Sequence, residues 1–388
     1  MRASRRAAVV TLFLCGALSL APAGAQAPAP LQAVLADLDR QLTADFAADG
    51  TAGVALGVVA EGRLVWTRNF GVADAETRRP VTSDTAFRIG SITKQFTALA
   101  LLQAVEDGRM RLTDPLEKYV PEIRQMKHVP AGTPPVTLLQ VATMTAGIAR
   151  EPECEAPLDG PVSRWTVKLL SCLPGTGYVN EPGTEYLYSN IGYALLGLAI
   201  ERAVGRPFTE YVTERTFKPL GMTRTAFEPD ATLRRDLARG YSRRGREGPV
   251  SSAVADRELD GRGYKVPNGA ILSTVNDLAK FVAWELGQAP AAVLKRETQD
   301  ANYRRVYSAT NARGELTLTS GYGIGFQAQR RGEVVILGHG GSTAGYLASA
   351  LFHRASGLGV VVLRNCDGCG LTPGSTASRI LDRLVSTQ

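Results

Sequence analysis

Strand-like sequence lies at both ends of this 388-residue chain, and helical sequence lies between the two ends. Residues 53–70 (GVALGVVAEGRLVWTRNF) are rich in valine and are interrupted by Glu61-Gly62, so they predict a β-hairpin. Four more strand-like runs follow near the C-terminus, at residues 322–329, 333–341, 346–353 and 358–364. Because chain connections favour simple pairings of neighbouring strands, we expect the two ends to form one antiparallel sheet.

The middle of the chain carries helical patterns that stop at glycine. FTALALLQAVEDG predicts a buried helix ending at Gly108, and NIGYALLGLAIERAVG predicts another ending at Gly205. In DLAKFVAWELG, Asn276 or Asp277 is the expected N-cap. The last segment, ASRILDRLVSTQ, predicts an amphipathic helix.

These patterns predict an α+β fold, in which an antiparallel sheet from both chain termini is flanked by helices and a mainly helical lobe is inserted. The sheet lobe is expected over residues 30–90 and 320–388, and the helical lobe over residues 91–319. A packed globular core is expected, because 44% of the residues are hydrophobic and 21% are charged.

Residues 1–25 predict a secretory signal peptide, so the globular part is expected to span residues 28–388. Three arginines precede the apolar run AAVVTLFLCGALSLA, and the small residues Ala23-Gly24-Ala25 form a cleavage site; cleavage after Ala27 fits nearly as well. The apolar run is short for a membrane span, so we expect a periplasmic or secreted protein with no membrane span. The stretch AQAPAPLQA is expected to be a flexible start.

Charge and motifs argue against several classes of ligand. The formal charge of +7 falls to +4 when the three arginines of the leader are removed, and so modest an excess in an exported chain gives no reason to expect nucleic acid. His128, His339 and His353 show no ligand spacing, so no metal site is expected. The sequence carries no phosphate-binding loop and no His-Glu-x-x-His motif, and we expect no cofactor.

Four cysteines remain beyond the predicted leader: Cys154, Cys172, Cys366 and Cys369. An even number in an exported chain predicts disulfides, for which three pairings are possible. The most local pairing, Cys154–Cys172 with Cys366–Cys369, is the one we favour.

Ser91 and Lys94, in the segment SITK, are spaced to share one face of a helix, about one turn apart. A serine at a helix start has free backbone N–H groups beside it that favour a developing oxyanion. Its hydroxyl needs a base, and a lysine can act as one when burial or a nearby positive charge lowers its pKa. The alternative is an N-cap serine beside a lysine that reaches solvent, and for a motif this short that alternative is the stronger.

Two further segments carry side chains suited to catalysis. In YSN, a phenol at Tyr188 can shuttle a proton and an amide at Asn190 can hold a substrate carbonyl; the alternative is a turn with Asn190 as the helix N-cap. In HGG, the glycines after His339 let a ligand lie close along a strand edge; the alternative is a tight strand with an incidental histidine.

Taken in order, SITK, YSN and HGG resemble the three signature elements of the serine β-lactamase and penicillin-binding-protein superfamily. The closest resemblance is to the branch of class C β-lactamases, D-alanyl-D-alanine carboxypeptidases and esterases. Intervening strings such as VTLLQVATMTAGI, PGTEYLYSN and FKPLGMTRTAF are similar to that branch, and the match spans roughly residues 35–385. The resemblance implies a β-lactamase/transpeptidase-like fold.

The resemblance also implies a role for each matching residue. Ser91 would be the acylated nucleophile, and Lys94 would share its proton and lower the pKa of Tyr188. Tyr188 would be the general base, and Asn190 would hold the substrate amide. The backbone N–H groups of Ser91 and Ser342 would form the oxyanion hole.

The third motif departs from the branch, where it usually begins Lys-Thr-Gly. Here His339 and Gly340 occupy the first two places, and only Gly341 matches. The ammonium and hydroxyl that help bind a substrate carboxylate are therefore missing, which argues against efficient β-lactam hydrolysis. Which residue binds a carboxylate stays open.

The predicted function is an exported serine hydrolase that forms an acyl-enzyme at Ser91. Its substrate would be an amide or ester: a β-lactam, a peptide of the D-Ala-D-Ala type found in peptidoglycan, or a small ester. The alternatives are a penicillin-recognising sensor that is acylated without turnover and an inactive scaffold on the same fold. We expect a monomer.

Overall fold

The computed structural model describes residues 28–49, 52–128, 132, 134–243, 245, 248–258, 261–289, 293–303 and 320–387. The predicted signal peptide, residues 1–25, lies outside these described residues.

Strands and helices are numbered here in chain order within the described residues. The strands are β1 (Gly53–Ala60), β2 (Arg63–Asp74), β3 (Arg79–Pro80), β4 (Phe87–Arg88), β5 (Tyr241–Arg243), β6 (Val250–Ser251), β7 (Leu272–Ser273), β8 (Ser320–Tyr322), β9 (Gln327–Arg331), β10 (Val334–Thr343), β11 (Tyr346–His353), β12 (Leu358–Arg364) and β13 (Cys366–Asp367). The α-helices are α1 (Ala29–Asp49), α2 (Thr93–Glu106), α3 (Leu138–Ala142), α4 (Trp165–Cys172), α5 (Asn190–Val204), α6 (Phe208–Val212), α7 (Ala231–Asp236), α8 (Ala253–Arg257), α9 (Val266–Gly269), α10 (Val275–Glu285), α11 (Arg296–Tyr303) and α12 (Pro373–Val385).

Strands from both ends of the chain form one eight-stranded sheet in the order β3-β2-β1-β12-β11-β10-β9-β8. The two ends meet where β1 pairs with β12 in antiparallel register, with Leu56 opposite Val362. The predicted α+β architecture, with one antiparallel sheet from both termini flanked by helices, is confirmed.

Alternate residues of the central strands point to opposite faces of the sheet, and both faces are covered by other elements. Val360 and Val362 of β12 join a cluster that includes the apolar faces of α1 and α12. Val361 and Leu363 join the larger cluster that contains α2, α5 and α10. The sheet thus separates the two terminal helices from the lobe that carries SITK and YSN.

The start of the described chain differs from the sequence-based expectation. Part of AQAPAPLQA was expected to be flexible, yet α1 begins at Ala29. The helix buries one leucine stripe against the sheet: Leu31, Leu35, Leu38 and Leu42. A proline in a first helical turn costs little, since its missing N–H has no helical partner there, so Pro30 does not prevent the helix.

The cap of α10 was also predicted wrongly. Thr274 is the N-cap, and its hydroxyl accepts from the Asp277 backbone N–H at 3.1 Å. Asp277 itself accepts from the Arg224 backbone N–H at 2.7 Å and from the Thr225 hydroxyl at 3.0 Å. Asn276 and Asp277 therefore lie in the first turn, one and two residues beyond the helix start.

The favoured cysteine pairing is the one in the structure. Cys154 is bonded to Cys172 with their Cα atoms 5.0 Å apart, and Cys366 to Cys369 with theirs 5.9 Å apart. The first disulfide links α4 to the segment before it, and the second links the first residue of β13 to the turn that follows it.

A buried carboxyl group between two helices predicts how stability depends on pH. Glu285 of α10 accepts from the Gln95 side chain of α2 at 3.4 Å, and burial raises the pKa of Glu285 to about 8. The folded chain thus keeps this proton where the unfolded chain has lost it. Between about pH 4.5 and 8, rising pH should therefore lower the free energy of unfolding by up to about 1.4 kcal/mol per unit.

Glu285→Gln removes that titration, so we expect urea denaturation midpoints to depend less on pH in the variant than in the wild type. The exposed Glu228→Gln is the matched control and should keep the wild-type slope. Equal slopes in wild type and Glu285→Gln would contradict the assignment.

Candidate active site

Ser91 lies in a short 3₁₀ turn, Gly90–Ile92, that leads directly into α2. Gly90 has a φ of +51°, and a Cβ added there would lie 2.7 Å from the Ser342 backbone nitrogen. A Cβ added to Gly341 would lie 1.9 Å from the Ile89 carbonyl oxygen and 3.2 Å from the Ser91 backbone nitrogen. Only glycine fits at these two positions, so the turn that carries Ser91 packs directly against β10 at Gly341 and Ser342.

Lys94 is fully buried one turn after Ser91, so its ammonium does not reach solvent. Its Nζ lies 3.1 Å from the Ser91 Oγ, 2.7 Å from the Asn190 Oδ1 and 3.0 Å from the Asn268 carbonyl oxygen. Burial lowers the pKa of Lys94 well below the ordinary value, and the positive charge of Lys265 lowers it further. Lys94 is therefore a candidate base beside the serine hydroxyl.

Tyr188 lies on the other side of the serine. Its ring centroid is 4.8 Å from the Lys94 Nζ and 4.9 Å from the Arg150 guanidinium carbon, and the Ser91 side chain is close enough to lower the pKa of its hydroxyl slightly. Lys94 was expected to lower the pKa of Tyr188, but burial raises the pKa of this phenol above its usual value. Tyr188 is therefore a neutral phenol that can donate a proton, and Lys94 is the group with the lowered pKa.

Asn190 is the first residue of α5, and Ser189 rather than Asn190 caps that helix. The Ser189 hydroxyl accepts from the Gly192 backbone N–H at 2.9 Å. The Asn190 side chain is thereby left for the site, where it accepts from Lys94 through Oδ1 and donates to the Glu151 carboxylate from Nδ2 at 2.5 Å.

His339 is buried in β10 and makes two hydrogen bonds. Its Nδ1 lies 2.5 Å from the Gly340 carbonyl oxygen, which only accepts, so the proton is on Nδ1 and Nε2 accepts from the Tyr322 hydroxyl at 3.1 Å. Burial, and then the charge of Lys94, lower the pKa of His339 to about 3. At neutral pH, His339 therefore supplies no positive charge for a substrate carboxylate.

Ser91 lies in a cleft that several segments of the chain line. Arg150, Tyr186 and Tyr188 line one part of its wall, Gln327 and residues 339–342 of β10 line another, and residues 347–348 and 372–374 complete the lining. The register of β9 against β10 ends at the Gln327–Gly338 pair, whereas β11 pairs with β10 as far as Thr343. In the described part of the chain, residues 339–343 thus leave one strand edge open toward Ser91.

Sequence reasoning missed four residues that shape this site: Arg150, Glu151, Asn268 and Tyr322. Each lies outside SITK, YSN and HGG, and Asn268 is 174 residues from the lysine that it contacts. Arg150 and Glu151 directly follow the string VTLLQVATMTAGIA, so proximity to that string was the only available signal.

The described residues contain no group of three or more His, Cys, Asp or Glu side chains that could hold a metal ion. None of the helices that the structure describes is long and apolar enough to cross a membrane.

The comparisons with known proteins agree with this geometry. The sequence model of the Beta-lactamase family matches residues 38–380. The chain belongs to the β-lactamase family. As a member of that family it resembles, among solved structures, the octameric penicillin-binding protein homologue from Pyrococcus abyssi, with a TM-score of 0.74 and 27% identity over 91% of this chain and 77% of that one.

Two curated relatives of this β-lactamase family member are matched over only part of their own length. Protein flp of Staphylococcus aureus strain N315 is 24% identical over 84% of this chain and 62% of its own length. A β-lactamase of Pseudomonas fluorescens is 30% identical over 63% of this chain and 62% of its own length. The matches thus cover less than two thirds of either relative. Since the Pyrococcus neighbour is octameric, the expected monomer stays a prediction.

The lowered pKa of Lys94 predicts a pH profile for this family member. We expect kcat/KM to rise as Lys94 loses its proton and to level off well below pH 10.4, the ordinary pKa of a lysine. A steady-state profile against a neutral ester checks this. A rate that still rises with a midpoint near that ordinary value would contradict it.

Proposed function

We propose that the chain is a serine hydrolase that forms an acyl-enzyme at Ser91 and then hydrolyses it. The observation that carries the proposal is the position of Ser91 between a buried lysine, 3.1 Å away, and a neutral phenol. Membership of the β-lactamase family supports acyl-enzyme chemistry at this serine.

Each group has a defined role in the reaction. The neutral amine of Lys94 takes the Ser91 proton while Oγ bonds to the substrate carbonyl carbon, and the Ser91 and Ser342 N–H groups face the oxyanion. When the carbon–leaving-group bond breaks, the Tyr188 phenol gives its proton to the departing nitrogen or oxygen. The Lys94 ammonium then returns a proton to Tyr188. In deacylation, Tyr188 passes its proton to Lys94 and takes one from the water that attacks the acyl carbon. When the bond from that carbon to the Ser91 Oγ breaks, the Lys94 ammonium returns a proton to Ser91.

We propose peptide-like amides as the preferred substrates, with esters as faster artificial ones. The open edge of β10 between residues 339 and 343 can pair with an extended backbone, as peptides do at exposed sheet edges. Arg150 is the arginine on the cleft wall, with its side chain 63% exposed, and is placed to meet a substrate carboxylate in place of the neutral His339.

The test is a panel of nitrocefin, a D-Ala-D-Ala peptide and p-nitrophenyl esters, followed beyond one equivalent of product. The proposal requires repeated turnover of at least one ester or amide. Product that stops at one equivalent would indicate the sensor alternative, and the absence of both product and covalent labelling would indicate an inactive scaffold.

We propose that the protein is exported. Two disulfides among the described residues support an oxidising compartment. Expression of the full chain in a Gram-negative host, with fractionation and a mass measurement of the product, is the test. A cytoplasmic product that keeps residue 1 would contradict export.

A further inference from the structure

Glu151 is a carboxylate next to the catalytic groups that the mechanism above does not use. It accepts from the Asn190 Nδ2 at 2.5 Å and from the Tyr264 hydroxyl. The Lys265 Nζ lies 3.6 Å and the Arg150 Nε 3.8 Å from its oxygens. Among the described residues, Asn190 is the one that links Glu151 by a hydrogen bond to the Ser91–Lys94 pair.

That hydrogen bond fixes which way the Asn190 amide faces. An ionised carboxylate can only accept, so the Asn190 NH₂ must face Glu151 and its oxygen must face Lys94, 2.7 Å away. A neutral partner in place of Glu151 would allow both orientations of the amide.

The orientation of the amide decides where the Lys94 lone pair faces. A neutral amine has two N–H groups and one lone pair, and Lys94 has three neighbours: Ser91, Asn190 and Asn268. The Asn190 oxygen and the Asn268 carbonyl oxygen can only accept, so they take the two N–H groups. The lone pair is left for the Ser91 hydroxyl at 3.1 Å. A reversed amide would instead donate to the lone pair.

We propose, on the basis of the proposed function, that Glu151 is a positioning residue that orients Asn190 and thereby directs the Lys94 lone pair at Ser91. Asn268 helps to hold Asn190 in place, because the Asn268 Nδ2 donates to the backbone carbonyl oxygen of Asn190 at 3.0 Å.

Glu151 also contributes charge, and this second effect has to be separated from orientation. Lys265 and Arg150 lower the pKa of Lys94, whereas Glu151 raises it. The titratable and charged groups around Lys94 are, from the α3–α4 segment, Arg150 and Glu151; from the YSN segment and α5, Tyr188 and Tyr193; from the turn before α9, Lys265; and from β10, His339. Loss of the Glu151 charge should therefore move the acidic limb of the rate profile to lower pH.

The test compares Glu151→Gln with Glu155→Gln, an exposed residue of the same segment. We expect Glu151→Gln to lower the plateau of kcat/KM for a neutral ester by about tenfold, because a charge-assisted hydrogen bond no longer sets the amide. The acidic limb should also move to lower pH, and Glu155→Gln should change neither quantity. Glu151 is 43% exposed and lies outside the described helices, so a thermal midpoint near that of the wild type is expected. Glu151→Ala gives a second measurement.

A double-mutant cycle separates orientation from every other effect. If Glu151 acts through Asn190, Glu151→Gln should lower the plateau little or not at all in an Asn190→Ala background. An unchanged plateau in the single variant, or an equal loss in both backgrounds, would overturn the role of Glu151. Active-site titration with a fluorophosphonate tests the proposed function independently, since a wild type that is not labelled at Ser91 fails whatever Glu151 does.

Discussion

Replacing Ser91 by alanine should abolish covalent labelling by a fluorophosphonate and lower kcat by about 10⁶-fold, the scale expected for loss of a catalytic serine. The reason is that Ser91 lies 3.1 Å from the buried Lys94 amine, and no other hydroxyl among the described residues hydrogen-bonds to that amine. Intact-protein mass spectrometry with and without the probe measures the effect directly.

Ser171→Ala is the matched control, because Ser171 is exposed and, within the described part of the chain, its hydroxyl hydrogen-bonds to the Lys168 carbonyl oxygen alone. Labelling and turnover should be unchanged in that variant. If Ser91→Ala is still labelled with the same stoichiometry, another residue is the nucleophile and the proposed mechanism is wrong.

The sequence predicted the sheet well because strand periodicity and glycine-bounded turns are local signals. The hairpin of residues 53–70, the strand pattern at 358–364 and the end of α5 at Gly205 needed no knowledge of distant contacts. α1 was missed because its Ala/Pro-rich start obscured a leucine stripe whose partner, α12, lies at the other end of the chain.

The sequence predicted which four residues lie together in the candidate site, but it did not predict the pKa shifts within that site. Ser91, Lys94, Tyr188 and Asn190 converge as their order along the chain suggested. The direction of the Tyr188 pKa was wrong because a sequence does not show that burial outweighs a nearby cation. Glu151 was not predicted, because the role proposed for it depends on which atom of the Asn190 side-chain amide it contacts.

His339 is a second residue whose environment the sequence did not predict. Its place in HGG predicted a substrate-binding side chain, and alternation along β10 brings it to the cleft wall. Tyr322 and the Gly340 carbonyl hold the ring as a buried neutral group, however. What β10 can offer a substrate at this point is its backbone, so the strand edge rather than the imidazole supports the preference for peptide-like substrates.

Tyr188→Phe separates the two possible roles of the phenol, because it removes one hydroxyl and keeps the ring beside Lys94 and Arg150. If the neutral phenol protonates the leaving group, hydrolysis of an amide should slow by about 10²- to 10⁴-fold. Hydrolysis of a p-nitrophenyl ester, whose leaving group departs without a proton, should slow far less. Rapid-mix acylation rates for the two substrate classes give the comparison.

Tyr211→Phe is the control, since the buried Tyr211 hydroxyl has no hydrogen-bond partner among the described residues and its loss should alter neither rate. An equal slowing of amide and ester would show that Tyr188 acts on Ser91 itself, as the general base that the sequence predicted. An unchanged amide rate would remove Tyr188 from the reaction. In the expected outcome, burial assigns both proton-transfer roles. It makes Lys94 the base because it disfavours the charged ammonium, and it makes Tyr188 the acid because it disfavours the charged phenolate.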